Sequence, residues 1–348
     1  MRTIDWIDDA VVLIDQTLLP SELVHLRLST VDELVDAIKR LAVRGAPALG
    51  VAGAMGVALA AASSSDPAVV RDLVHRLATA RPTAVNLARG VDRAAAHLPS
   101  FPAVLAEALR VRDEEIHSST EMARRGADLV TSLCGPSARL LTHCNTGALA
   151  TVVGGTALAV AFELHRRGTL ASVTASETRP LLQGARLTTW ELAQAGIPHR
   201  LSVDSAGPFL MARGEIDAVI LGADRICANG DVVNKVGSYA HALGARAAGI
   251  PFICVAPEST VDLSTPTGAD VEIEDRGPAE VVGTTAPPTT PAVNPAFDVT
   301  PASLVTAIVT DTRIWYPTPP RPPHHATDAP RTAPSRLPHP ATHPALEQ

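Results

Sequence analysis

The chain has 348 residues, a formal net charge of −7, 46% apolar side chains and 3% aromatic ones. That length suits two domains, or one large α/β domain with additions, and the acidic balance argues against a general nucleic-acid-binding surface while leaving room for a local basic pocket. Ala, Val and Leu carry the hydrophobicity, as expected for helices packed closely on a Val-rich sheet. Cys134, Cys144, Cys227 and Cys254 are widely spaced, with no C-x-x-C pair and no H-E-x-x-H. Neither a metal site nor a disulfide framework is expected, and a reducing cytoplasmic setting is. The opening MRTIDWIDDAVV carries acids where a signal peptide needs an apolar core, and the apolar run 46–62 is marginal in length for a bilayer. No membrane contact is expected.

Residues 10–14 (AVVLI) and 23–28 (LVHLRL) read as strands. Thr30 then opens a helix with Glu33 as its capping-box partner, and Val31, Leu34, Val35, Ile38 and Leu41 recur at helical spacing. Arg44-Gly45-Ala46-Pro47 separates it from a second helix, 46–62, which is apolar on every side and hence buried. Gly50, Gly53 and Gly56 in that helix suggest close backbone packing. Its RGAP start offers free N–H groups and a guanidinium, which make an anion site on one reading and an ordinary helix corner on another. Helical patterns continue through 73–80, 87–98 and 104–129. Arg81 precedes Pro82 and so sits in a loop, either solvated or turned inward.

From about residue 137 strands and helices alternate: strand RLLTH, helix 147–166, strand 172–175, helix 182–195, strand 200–203, helix 208–213, strand 218–222, helix 235–248 and strand 252–256. The predicted fold class is α/β, a Rossmann-like parallel sheet flanked by helices over 131–315, preceded by a smaller, mostly helical domain over 1–130. Segments 271–282 and 286–291 read as surface, and 294–310 as a turn followed by an element returning to the core. The Pro-rich stretch 316–348 is expected to be a disordered tail, its His324, His325, His339 and His343 solvated.

Right-handed crossovers bring the strand-to-helix corners to one sheet edge, where ligands bind in such folds. Four polar corners fall there: 142–147 (THCNTG), 177–186 (ETRPLLQGAR), 204–207 (DSAG) and 222–235 (GADRICANGDVVNK). Cys144 alone reads as a small core residue; among four polar corners it reads as a thiol facing a ligand, beside the start of the predicted helix at Gly147. No G-x-G-x-x-G and no P-loop follows any strand, which disfavours a nucleotide enzyme.

RGAPALG, RPTAVNL, LTHCNTGALAT, ETRPLLQGARLTTWEL, GADRICANGDVVNKVGSYA, IPFICVAP and NPAFDVTPA, in this order, together resemble the methylthioribose-1-phosphate isomerase family. Its wider superfamily includes regulatory subunits of the guanine-nucleotide exchange factor of translation initiation. The resemblance implies conversion of 5-methylthioribose 1-phosphate to 5-methylthioribulose 1-phosphate in methionine salvage, without a cofactor or metal, by a homodimer. It implies Asp224 as proton donor and Cys144 as a group assisting the transition state. Arg44, Gly45, Ala46, Arg81, Gln183, Asn234 and Lys235 are the implied sugar-phosphate contacts. An isomerase of 5-deoxyribose 1-phosphate or ribose 1,5-bisphosphate, and a non-catalytic regulatory subunit, are the alternatives. Met55, Val153-Gly154-Gly155 and the stretch beyond Asp311 depart from the family pattern.

Overall fold

The computed structural model describes residues 2–82 and 84–317; the expectations for the tail beyond them, including its four histidines, fall outside the described residues. Strands β1 (Ile4–Ile7), β2 (Ala10–Ile14) and β3 (His25–Leu28) form an antiparallel sheet with β2 in the centre. Helix α1 (Val31–Lys39) starts at the expected capping box, with Glu33 N donating to Thr30 Oγ1 at 3.2 Å and Thr30 N to Glu33 Oε2 at 3.0 Å. Leu41, expected on its apolar face, lies beyond the helix end at φ 65°.

Helix α2 (Ala46–Ser63) is the hub of this half. It is long and apolar enough to cross a bilayer by length and composition, yet 72% of it is buried inside the fold. Helices α3 (Pro67–Ala78), α4 (Val85–Ala95) and α5 (Phe101–Cys134) pack around it. A Cβ on Gly90 of α4 would sit 2.0 Å from the Gly50 carbonyl oxygen of α2, so the two helices touch backbone to backbone, as the α2 glycines suggested. Helix α5 joins the halves: Val104, Ala108 and Val111 belong to the α2 core, while Met122, Ala127 and Val130 belong to the core of the large sheet.

That large sheet is built from β4 (Ala138–Thr142), helix α6 (Ala157–Arg166), β5 (Leu170–Ser176), α7 (Thr189–Gln194), β6 (His199–Ser202), α8 (Gly207–Ala212) and β7 (Ala218–Leu221). Strands β8 (Arg225–Cys227) and β9 (Val232–Lys235), helix α9 (Ser238–Ala248), β10 (Phe252–Val255), β11 (Val261–Asp262), β12 (Phe297–Thr300), β13 (Ala307–Val309) and β14 (Ile314–Trp315) complete the chain. The seven-stranded order is β14-β13-β10-β7-β4-β5-β6, parallel except for the edge strand β14, and β11-β8-β9-β12 form a smaller sheet. The architecture is α/β with a parallel-rich sheet flanked by helices. Alternation along the strands explains the two layers: Leu140, Ile220 and Ile253 face the α5–α6 side, and Leu141, Val219 and Cys254 face the α8–α9 side. The chain runs outward from β4 through β5 and β6, then returns to the other side of β4 with β7. The topological switch point is therefore between β4 and β7, and a ligand crevice is expected at their carboxyl ends.

Several element boundaries differ from the sequence reading. The helix expected over 147–166 begins only at Ala157, because Gly154 and Gly155 take φ of 75° and 103° and turn the chain back so that Thr156 N donates to Thr146 O at 2.8 Å. Cys144 is thus followed by a short 3-10 turn, Ala148–Ala150, and not by an α-helix N-terminus. The helix expected from Lys235 begins at Ser238, because Lys235 ends β9, paired with Phe297 of β12, and Gly237 caps the helix at φ 108°.

Glu115 on α5 is pushed up to about 7 by burial, reinforced by Asp311 and Glu114. A carboxyl raised in the folded state stabilises the fold fully below its unfolded value of 4.5, and that contribution is lost as pH rises towards 7. Glu115→Gln is therefore expected to be more stable than the parent at pH 8, by at most about 3 kcal/mol, and to lose that advantage at pH 4.5. Denaturant titrations at the two pH values check this.

Candidate active site

Cys144 lies just past β4, on a loop whose backbone is held from both sides. Its N–H donates to Thr178 Oγ1 at 2.8 Å, and its carbonyl accepts from Thr188 Oγ1 at 2.6 Å. Those two threonines come from the connection after β5, so the neighbouring strand's loop clamps the thiol-bearing corner. Cys144 adopts φ 61°, a left-handed conformation that costs a residue with a Cβ on the order of 1–2 kcal/mol, and the residue is 8% exposed. Non-glycine residues held in such conformations cluster at functional sites.

The next residue connects this corner to α2. Arg44 donates through Nη1 to Asn145 Oδ1 at 3.1 Å and through Nη2 to Asn145 O at 2.9 Å. Gly45, at φ 96°, is the N-cap of α2 and lies against Ala150, and Ala46 opens the helix. The Arg44 guanidinium and the first N–H groups of α2 therefore sit beside Cys144, a combination suited to an anion.

Asp224 leaves the carboxyl end of β7, the strand paired with β4. Its N–H is bound by Val233 O of the hairpin at 2.9 Å. Asp224 is exposed to solvent through the cavity it lines, with protein walls around that cavity. Burial raises its proton affinity above that of an ordinary carboxylate, and Lys235, Arg44 and Arg81 pull it back in part. Lys235 Nζ donates to Ala296 O at 2.7 Å and lies 4.4 Å above the Phe297 ring, while Asn234 Nδ2 donates to Ser238 Oγ at 2.8 Å. Arg81 is turned inward: burial lowers its proton affinity, opposed chiefly by Glu274. Gln183 is buried, with its Oε1 lacking a hydrogen-bond partner among the described residues.

All nine residues singled out from sequence line one cavity of about 420 Å³: Arg44, Gly45, Ala46, Arg81, Cys144, Gln183, Asp224, Asn234 and Lys235. Of the four polar corners, the third, Asp204 to Gly207, does not line it, since it follows the edge strand β6, the farthest from the switch point of the four strands that lead into these corners. The segment read as surface also behaves differently: Glu272, Glu274 and Arg276 form part of the wall. Glu274 is brought in because its carbonyl accepts from Ala296 N at 2.8 Å, beside the anchor of Lys235. Glu191 of α7 was missed altogether. It is buried, accepts from Ala148 N at 3.0 Å and Leu149 N at 2.9 Å, and is pushed up to about 7 by burial. A Cβ on Gly147 would lie 1.6 Å from its Oε2, which explains why the loop after Cys144 has glycine there. Only the unusual carboxyl inside the apolar pattern of α7 hinted at this.

A thiol and a proton-retaining carboxyl face three cations across the switch point of a parallel sheet, which defines an α/β protein with a crevice for a small anionic ligand. The chain belongs to the initiation factor 2 subunit family, whose profile matches residues 42–317. It is 53% identical over 308 residues to methylthioribose-1-phosphate isomerase of Anaeromyxobacter sp. strain K, covering 87% of this chain and 90% of that one. It is 50% identical to 5-deoxyribose 1-phosphate isomerase of Moorella thermoacetica, covering 90% and 94%. A probable bifunctional methylthioribose-1-phosphate isomerase/methylthioribulose-1-phosphate dehydratase of Nocardia farcinica is 53% identical over 89% of this chain, which spans 59% of that relative's length. Among solved structures, 5-methylthioribose 1-phosphate isomerase from Pyrococcus horikoshii OT3 superposes with a TM-score of 0.84 at 40% identity, covering 91% and 92%.

Proposed function

We propose that the chain is an aldose–ketose isomerase converting 5-methylthioribose 1-phosphate to 5-methylthioribulose 1-phosphate, a step of methionine salvage. The observation that carries this is the convergence of Cys144 and Asp224, from adjacent strands, on one cavity that also holds Arg44, Arg81 and Lys235. The relatives named for this activity at about half identity support it.

The substrate is a furanose locked by the ester on its anomeric oxygen, so ring opening needs an acid at the ring oxygen. Asp224 is the candidate acid, because a carboxyl that retains its proton more firmly than usual can donate it near neutrality. As its proton reaches the ring oxygen, the bond from that oxygen to C1 breaks. Hydrogen then passes from C2 to C1, and the proton lost by the C2 hydroxyl replaces the one donated. The product keeps its phosphate on C1 and carries a ketone at C2. Cys144 assists at this stage, and the enclosed cavity limits access of water to the opened sugar. The phosphate is held by Arg44, Arg81, Lys235 and the α2 N-terminus, with Gly45, Ala46, Gln183 and Asn234 contacting the rest of the substrate. Arg44, Arg81 and Lys235 lower the proton affinity of Asp224, so a bound phosphate that neutralises them raises it further and favours the protonated acid when substrate is present.

The similarity to the Moorella thermoacetica protein favours a second reading in which the substituent on C5 is hydrogen rather than methylthio. Incubation with 5-methylthioribose 1-phosphate, 5-deoxyribose 1-phosphate and ribose 1,5-bisphosphate, with detection of ketose, separates these. The first is expected to have the highest kcat/KM. Ketose from none of them contradicts the isomerase reading.

The enzyme is further proposed to work as a cytoplasmic homodimer. Free thiols at all four cysteines support a reducing setting, and exposed Leu201, Val203 and Phe209 along the β6 edge support self-association. Sedimentation at micromolar concentration is expected to give twice the monomer mass.

A further inference from the structure

The third polar corner, outside the cavity, carries a partly buried network that ends on the Cys144 backbone. Asp204 Oδ1 accepts from Ser176 Oγ and, at 2.7 Å, from Thr178 N; its Oδ2 accepts from Arg179 N at 2.7 Å. Thr178 is itself left-handed at φ 66°, and its hydroxyl accepts from Cys144 N at 2.8 Å while donating to Ser176 O at 3.0 Å. His143, the residue before the thiol, lies beside this network without a hydrogen bond to Asp204. Its Nδ1 lies 3.8 Å from Asp204 Oδ1, and its Nε2 is bonded to Val236 O at 2.8 Å. His241 packs edge-on against His143, with ring centroids 5.0 Å apart, and reaches Ser176 Oγ at 3.3 Å.

We infer that Asp204 is a positioning residue for the isomerisation: it holds Thr178 so that the Cys144 backbone stays left-handed and its thiol faces the cavity. This rests on the reading of Cys144 as a reacting group. Two consecutive left-handed clamps are not favourable on their own, and a single carboxylate accepting two backbone N–H groups and a hydroxyl secures both. Burial opposes the ionised form of Asp204, but the bonds from Ser176, Arg179 and Thr178 outweigh it and keep the carboxyl below its ordinary range. The carboxylate is thus a permanent acceptor, a role a neutral amide of the same shape fills poorly, since one of its two terminal atoms can only donate.

Asp204→Asn is expected to lower kcat by roughly ten- to a hundredfold while KM changes less than about threefold, because the residue touches no substrate. Thr178→Val, which removes only the hydroxyl, is expected to do the same more weakly, and serves if the first variant fails to fold. The alkylation rate of Cys144 by iodoacetamide, resolved by peptide mass spectrometry, is expected to change more than about threefold in both. Since Asp204 acts through the thiol, adding Asp204→Asn to Cys144→Ala is expected to cost almost no further turnover. Unchanged alkylation in both variants, or a double variant as far below Cys144→Ala as Asp204→Asn is below the parent, overturns the inference. Normal turnover in Cys144→Ala overturns the catalytic reading of the thiol instead, and the alkylation rate then decides the positioning claim by itself.

Discussion

Cys144→Ala and Asp224→Asn are each expected to lower turnover by at least roughly a hundredfold, as removal of an acid–base or transition-state group does. Asp224 sits where burial already disfavours its charge, so an amide of the same shape leaves the fold undisturbed while removing the transferable proton. The Cys144 side chain is small, and its corner is held by backbone bonds to Thr178 and Thr188 that survive truncation. Melting temperatures close to the parent, together with kcat from a ketose assay, separate chemistry from unfolding. Near-normal turnover in both variants contradicts the assigned roles.

Gly45→Ala is expected to destabilise the fold by about 2–6 kcal/mol and to impair substrate binding. At φ 96° and ψ 137° the backbone is in a region essentially reserved for glycine, at a cost of about 1–3 kcal/mol for any other residue. The new methyl would also lie 2.4 Å from the Ala150 carbonyl oxygen and 2.6 Å from its Cα, so backbone has to move, an overpacking cost of about 1–3 kcal/mol. The displaced partners are the loop after Cys144 and the start of α2, so Arg44 loses its position as well. Gly135→Ala at the end of α5, also at positive φ but with nothing within 4 Å of the added carbon, provides the control, with a markedly smaller loss. Denaturant titration of both variants measures the difference.

The β/α alternation from residue 137 was legible because strands buried on both faces read as continuous apolar runs, as AVIL and FICV do. The buried α2 was legible from its all-round apolarity, and the residues of the cavity from long motifs that resemble one family. The loop after Cys144 was not. Helical spacing in 147–166 continues through Gly154 and Gly155, and only the tertiary fold, with Thr156 bonded back to Thr146, sends them into positive φ. Glu274 and Arg276 were hidden for a related reason: an acidic, Gly- and Pro-bearing stretch reads as surface, and its place in the wall depends on pairing with residues some twenty positions later. The supporting shell of Asp204, Thr178, Thr188 and Glu191 acts through backbone hydrogen bonds, which leave no spacing pattern along the chain.

The most direct test of the central claim, that Cys144 and Asp224 face one sugar phosphate in one cavity, is substrate protection in a form that cannot turn over. In Asp224→Asn, saturating 5-methylthioribose 1-phosphate is expected to slow alkylation of Cys144 by iodoacetamide at least roughly tenfold, without ketose appearing. Alkylation at the same rate with and without the sugar phosphate, in protein that demonstrably binds it, contradicts the claim.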